Sequence, residues 1–179
     1  SRYIQNLPAK IEGDELDGLR ENVDEILYAL DLDNKASRFP PAYLGDYDGE
    51  LEYVDYEWQT RRYPVNADYG YDEDAEVWEV TAGRSDTIRD PRMDSEERAR
   101  YVYEAVNGRR VKSGEETSIP IPRTDDGVHE LLSALDGDRG RVESTDIDAL
   151  EAEIDEAVYD LFDLDESERE VIEEYLEVF

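Results

Sequence analysis

The C-terminal segment, residues 145–179, constrains the fold most, because it sets apolar side chains at helical spacing between acidic ones. One set recurs at steps of three and four, the spacing of an apolar stripe along an α-helix: Ile147, Leu150, Ile154, Val158 and Leu161. Thr145 is predicted to cap this helix, with Asp148 three residues later as a weaker form of the capping box.

A second helical stripe follows a predicted bend at Phe162-Asp163-Leu164. Its apolar members are Val171, Ile172, Tyr175, Leu176 and Phe179. Asp165 and Glu168 precede it at the spacing of a second capping box. The segment therefore predicts a C-terminal helical hairpin, and each helix needs a partner surface for its apolar side.

Helix and strand signals alternate along the first half of the chain. An amphipathic helix with a narrow apolar seam is predicted from the spacing of Leu16, Leu19, Val23, Ile26 and Leu30. Residues 34–41 are expected to break this helix. Asp48-Gly49 predicts a hairpin between Tyr43-Leu44 and the strand that begins at Leu51. Val77–Ala82 is predicted to be a strand, and residues 66–75 and 84–92 are predicted to be polar connections.

Two more helices and an extended segment are predicted in the second half. Asp94 with Glu97 is expected to cap a helix that stops at Asn107-Gly108. Residues 118–122 must be extended, because a residue before proline is disfavoured in the helical region. A short helix over residues 128–135 is expected to end at Gly137.

These signals predict an α+β fold with a small antiparallel sheet of about three or four strands. The predicted domains are an α+β recognition and support region (1–136), a linker (137–144) and the C-terminal hairpin (145–179), which packs on the same domain.

Acidic residues outnumber basic ones by 50 to 19, which gives a formal net charge of −31. Such a charge favours disorder when apolar residues are scarce, but 13 tyrosines, two tryptophans and the helical stripes indicate a folded chain. Only Lys10, Lys35 and Lys112 are lysines. This composition resembles that of proteins from salt-accumulating halophiles, in which molar salt shortens the Debye length to about 3 Å and screens the self-repulsion.

The C-terminal stripe also carries a family resemblance. The run from Glu153 to Leu164 is EIDEAVYDLFDL, and the residues that continue the pattern are Glu166, Glu168, Val171 and Ile172. It resembles the tails of the large restriction–modification and phage-defence DNA adenine methyltransferases, with Phe162 in place of the usual Tyr and Asp163 in place of the usual Gly. Together with the composition, this predicts a halophilic archaeal member. The alternative is an acidic helical hairpin outside any such family.

The resemblance implies a parent enzyme that uses S-adenosylmethionine and modifies double-stranded DNA. The chain has no glycine-rich cofactor loop. Its nearest approach to a target-adenine loop, Phe39-Pro40-Pro41-Ala42-Tyr43, lacks the required Asn and has its aromatic residue one place late. We therefore expect it to bind no cofactor itself, and to brace the DNA-recognition module beside the methyltransferase domain of the same protein. A start at Ser1-Arg2 without Met fits a piece of a longer protein, and the alternative is a trimmed N-terminus.

Basic residues are unevenly distributed in this acidic chain. The span from Arg84 to Lys112 holds eight basic and six acidic residues, whereas residues 142–179 hold one basic and sixteen acidic residues. The candidate DNA-binding residues are Arg61, Arg62, Arg84, Arg89, Arg92, Arg109, Arg110 and Lys112. Arg109-Arg110-x-Lys112 is the strongest phosphate candidate, because it follows a helix end and precedes a flexible Ser-Gly. The alternative is that these arginines pair with the chain's own carboxylates.

Other chemistry has little support in the sequence. The chain has no cysteine and one histidine, His129, so no catalytic residue and no metal ligand is predicted. It has no apolar run of membrane-spanning length and no signal-peptide pattern, which predicts a cytoplasmic protein without a membrane partner. The alternative function is a free-standing halophilic protein-interaction module with no DNA role, whose helical hairpin docks on a partner.

Overall fold

The structure, a computed structural model, describes residues 14–162 and 165–177. Within these ranges the chain combines helices with short antiparallel strands, which confirms the α+β class. In chain order the elements are α1 (Asp14–Ser37), α2 (Pro41–Leu44), β1 (Leu51–Glu57), β2 (Ala67–Asp72), β3 (Val77–Ala82), β4 (Asp86–Ile88), α3 (Glu96–Val106), β5 (Glu116–Pro122), α4 (Asp125–Ser144), α5 (Ile147–Leu161) and α6 (Glu166–Glu177).

The described strands form two antiparallel sheets rather than one. β1 pairs with β5 along its whole length, from Leu51 opposite Pro122 to Glu57 opposite Glu116. β2, β3 and β4 form a three-stranded meander. The predicted strand Val77–Ala82 is β3, and the predicted extended segment 118–122 lies in β5, so both are confirmed.

The hairpin predicted at Asp48-Gly49 is wrong. Tyr43 and Leu44 belong to the short helix α2, and the partner of β1 is the distant β5. Tyr43 is buried, with its ring centroid 5.6 Å from that of Phe39 and its hydroxyl donating to Asp138 at 2.7 Å. This helical packing outweighs the strand preference of an aromatic residue.

Two segments predicted as connections contain strands. Residues 66–75 include β2, and residues 84–92 include β4. β2 is polar in sequence, but its tyrosines lie opposite apolar residues of β3, as in the pairs Tyr69–Val80 and Tyr71–Trp78. Cross-strand contacts of this kind stabilise a strand that its own sequence does not predict.

The termini of α3 agree with prediction at one end only. Its N-cap is Ser95, whose Oγ accepts from the Arg98 amide at 3.3 Å, and not Asp94. The predicted stop is confirmed, since the Asn107 amide donates to Tyr103 O and Gly108 has a φ of 83°.

The predicted linker, residues 137–144, is wrong as a loop, because α4 continues through Gly137 as far as Ser144. Ion pairs on either side of this glycine favour the helix: Arg100 contacts Asp136, and Arg139 contacts Glu104 at 2.7 Å. These contacts offset the helix penalty of about 1 kcal/mol for a glycine.

The chain divides into two compact units. One consists of the described residues up to Leu32 together with those from Gly140 onward, and the other is Asp33–Arg139. The C-terminal helices therefore group with the start of α1, rather than packing on the whole of the preceding region.

In the first of these units the predicted stripes meet. Leu19 and Ile26 of α1 form a buried cluster with Ile154 and Val158 of α5. The side chains of Leu16, Leu161, Tyr175 and Leu176, and the whole of Asp163, Leu164 and Phe179, lie outside the described part of the chain. The expected seam is incomplete, since Leu30 is exposed.

Caps define both C-terminal helices. Asp146, not Thr145, caps α5 by accepting from the Ala149 amide at 3.0 Å. The second predicted capping box is confirmed: the Glu168 amide donates to Asp165 at 2.8 Å and the Asp165 amide donates to Glu168 at 3.0 Å. None of the helices in residues 14–162 and 165–177 has the length and apolar content needed to cross a bilayer.

The other unit has its own core between the sheets and helices α3 and α4. Its largest fully buried side chains include Trp58 and Tyr101. Trp58 Nε1 donates to Thr117 at 2.8 Å, and the Tyr101 hydroxyl donates to Pro120 O at 2.7 Å. These bonds fix the β1–β5 pair to the core.

Candidate nucleic-acid interface

An irregular antiparallel ribbon extends the β1–β5 pair and contains most of the predicted phosphate candidates. Arg62 and Val111 exchange two backbone hydrogen bonds of 2.9 Å. The Val65 amide donates to Arg109 O at 2.6 Å, and the Gly108 amide donates to Val65 O at 2.8 Å. We call residues 58–66 and 107–114 the basic ribbon.

Side chains of the basic ribbon alternate between two faces, as in any extended chain. Arg62 and Val111 point inward, and Val111 is buried. The exposed residues on either side of them share the outward face: Arg61, Tyr63, Arg110 and Lys112. The antiparallel pairing places Arg61 opposite Lys112 and Tyr63 opposite Arg110.

The basic ribbon has a charge that is opposite to that of the chain. It contains five of the nineteen basic residues and none of the fifty acidic ones. On its outward face the Arg61 guanidinium lies 4.9 Å from the ring centroid of Tyr63, a cation–π contact that leaves guanidinium N–H groups for a ligand. Glu115, just beyond the ribbon, accepts from the backbone amide of Lys112 at 2.8 Å.

The inward face is fixed by a buried carboxylate. Asp86, at the start of β4, accepts from Tyr56 Oη at 2.8 Å, from the Gln59 amide at 2.8 Å and from Arg62 Nε at 2.9 Å. Burial alone would raise the pKa of Asp86, but these three hydrogen bonds and the Arg62 charge lower it below its ordinary value. Burial and the bond to Asp86 raise the pKa of Tyr56 to about 12.

Gly83 lies against the same guanidinium. It has a φ of 65° in the turn between β3 and β4, and a Cβ added there would lie 2.6 Å from Arg62 Nη2. Arg62 is therefore a structural residue whose charge is neutralised by Asp86, so its predicted role in DNA binding is not supported by this geometry.

The remaining candidates fall into two groups. Arg89 donates to Glu79 and Asp72, with ion-pair distances of 2.8 and 2.9 Å. Arg92 donates to both oxygens of Asp90 at 2.9 Å. Arg89 and Arg92 therefore pair with the chain's own carboxylates, which was the alternative to DNA binding.

Arg84 and Arg109 are different, because neither forms an ion pair within the described residues. Arg84 is exposed in the turn after β3, whereas Arg109 is half-buried. Burial lowers the pKa of Arg109, and the nearby charge of Glu115 partly opposes this. Arg109 thus lies beside the outward face without belonging to it.

The sequence identified the clusters at Arg61-Arg62 and Arg109 to Lys112 separately, and the structure brings them together. It did not identify Tyr63 as a binding residue or Asp86 as the residue that holds Arg62. A usable signal was present, since residues 58–66 and 107–114 lack acidic side chains in a chain where such side chains are abundant.

Comparison of the chain with models of protein families, with curated proteins and with solved structures gave no match. The resemblance to DNA adenine methyltransferases therefore remains a prediction. What the chain does must be inferred from its own residues.

Proposed function

We propose that this chain is a non-catalytic support region of the DNA-recognition module in a halophilic, S-adenosylmethionine-dependent DNA adenine methyltransferase of a restriction–modification system. Its own contribution is to hold the DNA backbone with the outward face of the basic ribbon. The observation that carries the proposal is that Arg61, Arg110 and Lys112 share this face, where none forms an ion pair among the described residues. The tail resemblance supports the enzyme class, and the cytoplasm is the expected compartment.

Phosphate contact is the chemistry that suits this face best. Planar guanidinium groups donate hydrogen bonds in pairs to phosphate oxygens, and a lysine adds a mobile point charge. Such contacts fix the position of a protein on DNA without reading its sequence. The acidic remainder of the chain repels DNA, so within this chain the basic ribbon is expected to make the contact with the duplex. The other domains of the parent enzyme supply the remaining contacts and the methyl transfer.

The test is an NMR titration of the chain with a short DNA duplex at the lowest KCl concentration that keeps the protein folded, because phosphate contacts weaken as salt rises. Amide shifts should concentrate in residues 58–66 and 107–114. A triple variant, Arg61→Ala with Arg110→Ala and Lys112→Ala, should lose these shifts. In the parent enzyme the same variant should make the negative slope of log affinity against log salt shallower by about two to three, at about 0.9 per phosphate contact.

A matched control removes the same charge elsewhere. Arg89→Ala with Arg92→Ala and Arg123→Ala changes three exposed arginines that are already ion-paired, so DNA shifts should persist. If the two triple variants lost the DNA-induced amide shifts equally, DNA binding would depend on net charge alone, and the proposal would be overturned. Methyl transfer by the isolated chain would overturn its non-catalytic assignment.

The alternative, a free-standing protein-interaction module, has one observation in its favour. Three large apolar side chains, Leu27, Tyr28 and Leu30, are exposed on α1. The two functions predict different neighbours in the gene, because a methyltransferase domain in the reading frame upstream of Ser1 is expected only for the first.

A further inference from the structure

A groove lies at one end of the β2–β3–β4 meander, within the unit Asp33–Arg139. Its volume is about 600 Å³, within the range of small-molecule binding sites. Tyr71, Trp78 and Met93 contribute most of its apolar lining, and its charged lining residues are Glu76, Arg89, Asp90 and Asp94. None of these residues belongs to the basic ribbon.

The apolar part of the groove is an aromatic pair that the rest of the fold leaves open. Tyr71 and Trp78 are cross-strand partners, with ring centroids 5.4 Å apart and planes at 62°. Tyr69, two residues before Tyr71 on the same face of β2, packs instead against Tyr103 of α3 at 5.2 Å. Tyr71 lies beyond this contact and is 49% exposed, while Met93 is buried beneath the groove.

The charges around the groove are only partly compensated. The Asp90 carboxylate is bound by Arg92, and Arg89 is bound by Glu79 and Asp72. The two remaining carboxylates of the groove are Glu76 and Asp94.

Glu76 has no ion-pair partner among the described residues. Asp94 lies 3.6 Å from Arg98 Nε, but the same nitrogen is only 2.8 Å from Asp125. The groove therefore combines two aromatic rings with one unpaired carboxylate, Glu76, and a second, Asp94, that shares Arg98 with Asp125.

We infer that this groove binds an arginine side chain of a partner protein. A guanidinium stacks on tryptophan and tyrosine rings, and its N–H groups reach carboxylates at the rim at the same time. A purely apolar side chain would desolvate Glu76 and Asp94 without a counter-charge. A nucleotide could stack on the rings, but its phosphate would be repelled by the same carboxylates. This protein contact goes beyond the proposed contact with DNA and does not depend on it.

The test uses acetyl-arginine-amide as the probe and acetyl-citrulline-amide, which has nearly the same shape but no charge, as its control. Binding is followed through the Trp78 indole N–H signal in NMR. Trp58 is an internal reference, because its indole is 1% exposed and bound to Thr117. The arginine probe should shift the Trp78 signal to saturation, and the citrulline probe should bind about fivefold more weakly or not at all.

Variants separate the two parts of the groove. Tyr71→Ala and Glu76→Gln should each lower the affinity for the arginine probe about threefold to fivefold. Tyr53→Ala should leave it unchanged, since Tyr53 is 52% exposed on β1, outside the groove. Equal binding of the two probes by the unaltered chain would overturn the inference without any variant. Saturable binding of adenosine monophosphate in place of arginine would also overturn it, by assigning the groove to nucleotides.

Discussion

Arg62 Nε lies 2.9 Å from the carboxylate of Asp86, whose side chain is fully buried. This contact joins the basic ribbon to the first residue of β4, so the exposed face of the ribbon depends on an ion pair beneath it. Replacing one partner leaves the other charge in a poorly hydrated position, and such replacements typically cost about 3–5 kcal/mol.

Asp86→Asn should accordingly lower the free energy of unfolding by about 3 kcal/mol. Urea unfolding in molar KCl, followed by tryptophan fluorescence, measures this change. Glu50→Gln is the control, because the Glu50–Arg123 pair is exposed and should contribute about 0–1 kcal/mol. A loss at Asp86 no larger than that at Glu50 would contradict the structural role given to Arg62.

The capping box of α6 gives a second prediction. Asp165→Ala removes the acceptor of the Glu168 amide and should destabilise α6 by about 1 kcal/mol. Hydrogen exchange of the α6 amides measures this local change. A global unfolding experiment would not detect it if the rest of the unit stays folded. Glu170→Ala, an exposed change in the same helix that removes no cap, should leave exchange nearly unaltered.

His129 is the single histidine, so its protonation can be followed without overlap. A hydrogen bond of 2.7 Å with Glu97, together with the charges of Glu97 and Asp126, raises its pKa above 6.5. The stability from this contact is therefore fully present below pH 6.5 and is lost as pH rises through the folded-state pKa.

NMR titration of the His129 ring measures the effect. Glu97→Gln should return the pKa toward its ordinary value, whereas Glu96→Gln should have little influence. A pKa at or below 6.5 in the unaltered chain would mean that the contact does not persist in solution.

The net charge of −31 predicts a dependence on salt. Circular dichroism should show the midpoint of thermal unfolding rising as KCl increases from millimolar to molar, because screening weakens the repulsion between carboxylates. Full stability in dilute buffer would contradict adaptation to high salt.

Local signals predicted local structure well. Asp165 and Glu168 form the expected capping box, and Asn107-Gly108 ends α3. In each case the interacting groups lie within a few residues of each other, so their spacing in the sequence fixes the geometry. Ile154 and Val158 of the predicted stripe are buried and Ile147 and Leu150 pack against them half-buried, because helical periodicity decides which side chains share a face.

Pairing between distant segments could not be predicted in this way. No local feature of β1 indicates that β5 is its partner, and an Asp-Gly turn near its start favoured the wrong hairpin. The candidate site could not be predicted for the same reason. Arg61 and Lys112 are cross-strand neighbours only because Arg62 pairs with Val111. Gly137 stays helical for a related reason, since the partners of Asp136 and Arg139 lie on α3.

The pairing of β1 with β5 also has a kinetic consequence. These two strands enclose the meander and α3, a loop of roughly 60 residues whose closure costs entropy that grows with the logarithm of its length. The meander and α3 depend on shorter-range contacts, so they are expected to form early and to shorten the effective loop. The basic ribbon, which continues the β1–β5 pair, should then be among the last surfaces to assemble as the chain folds.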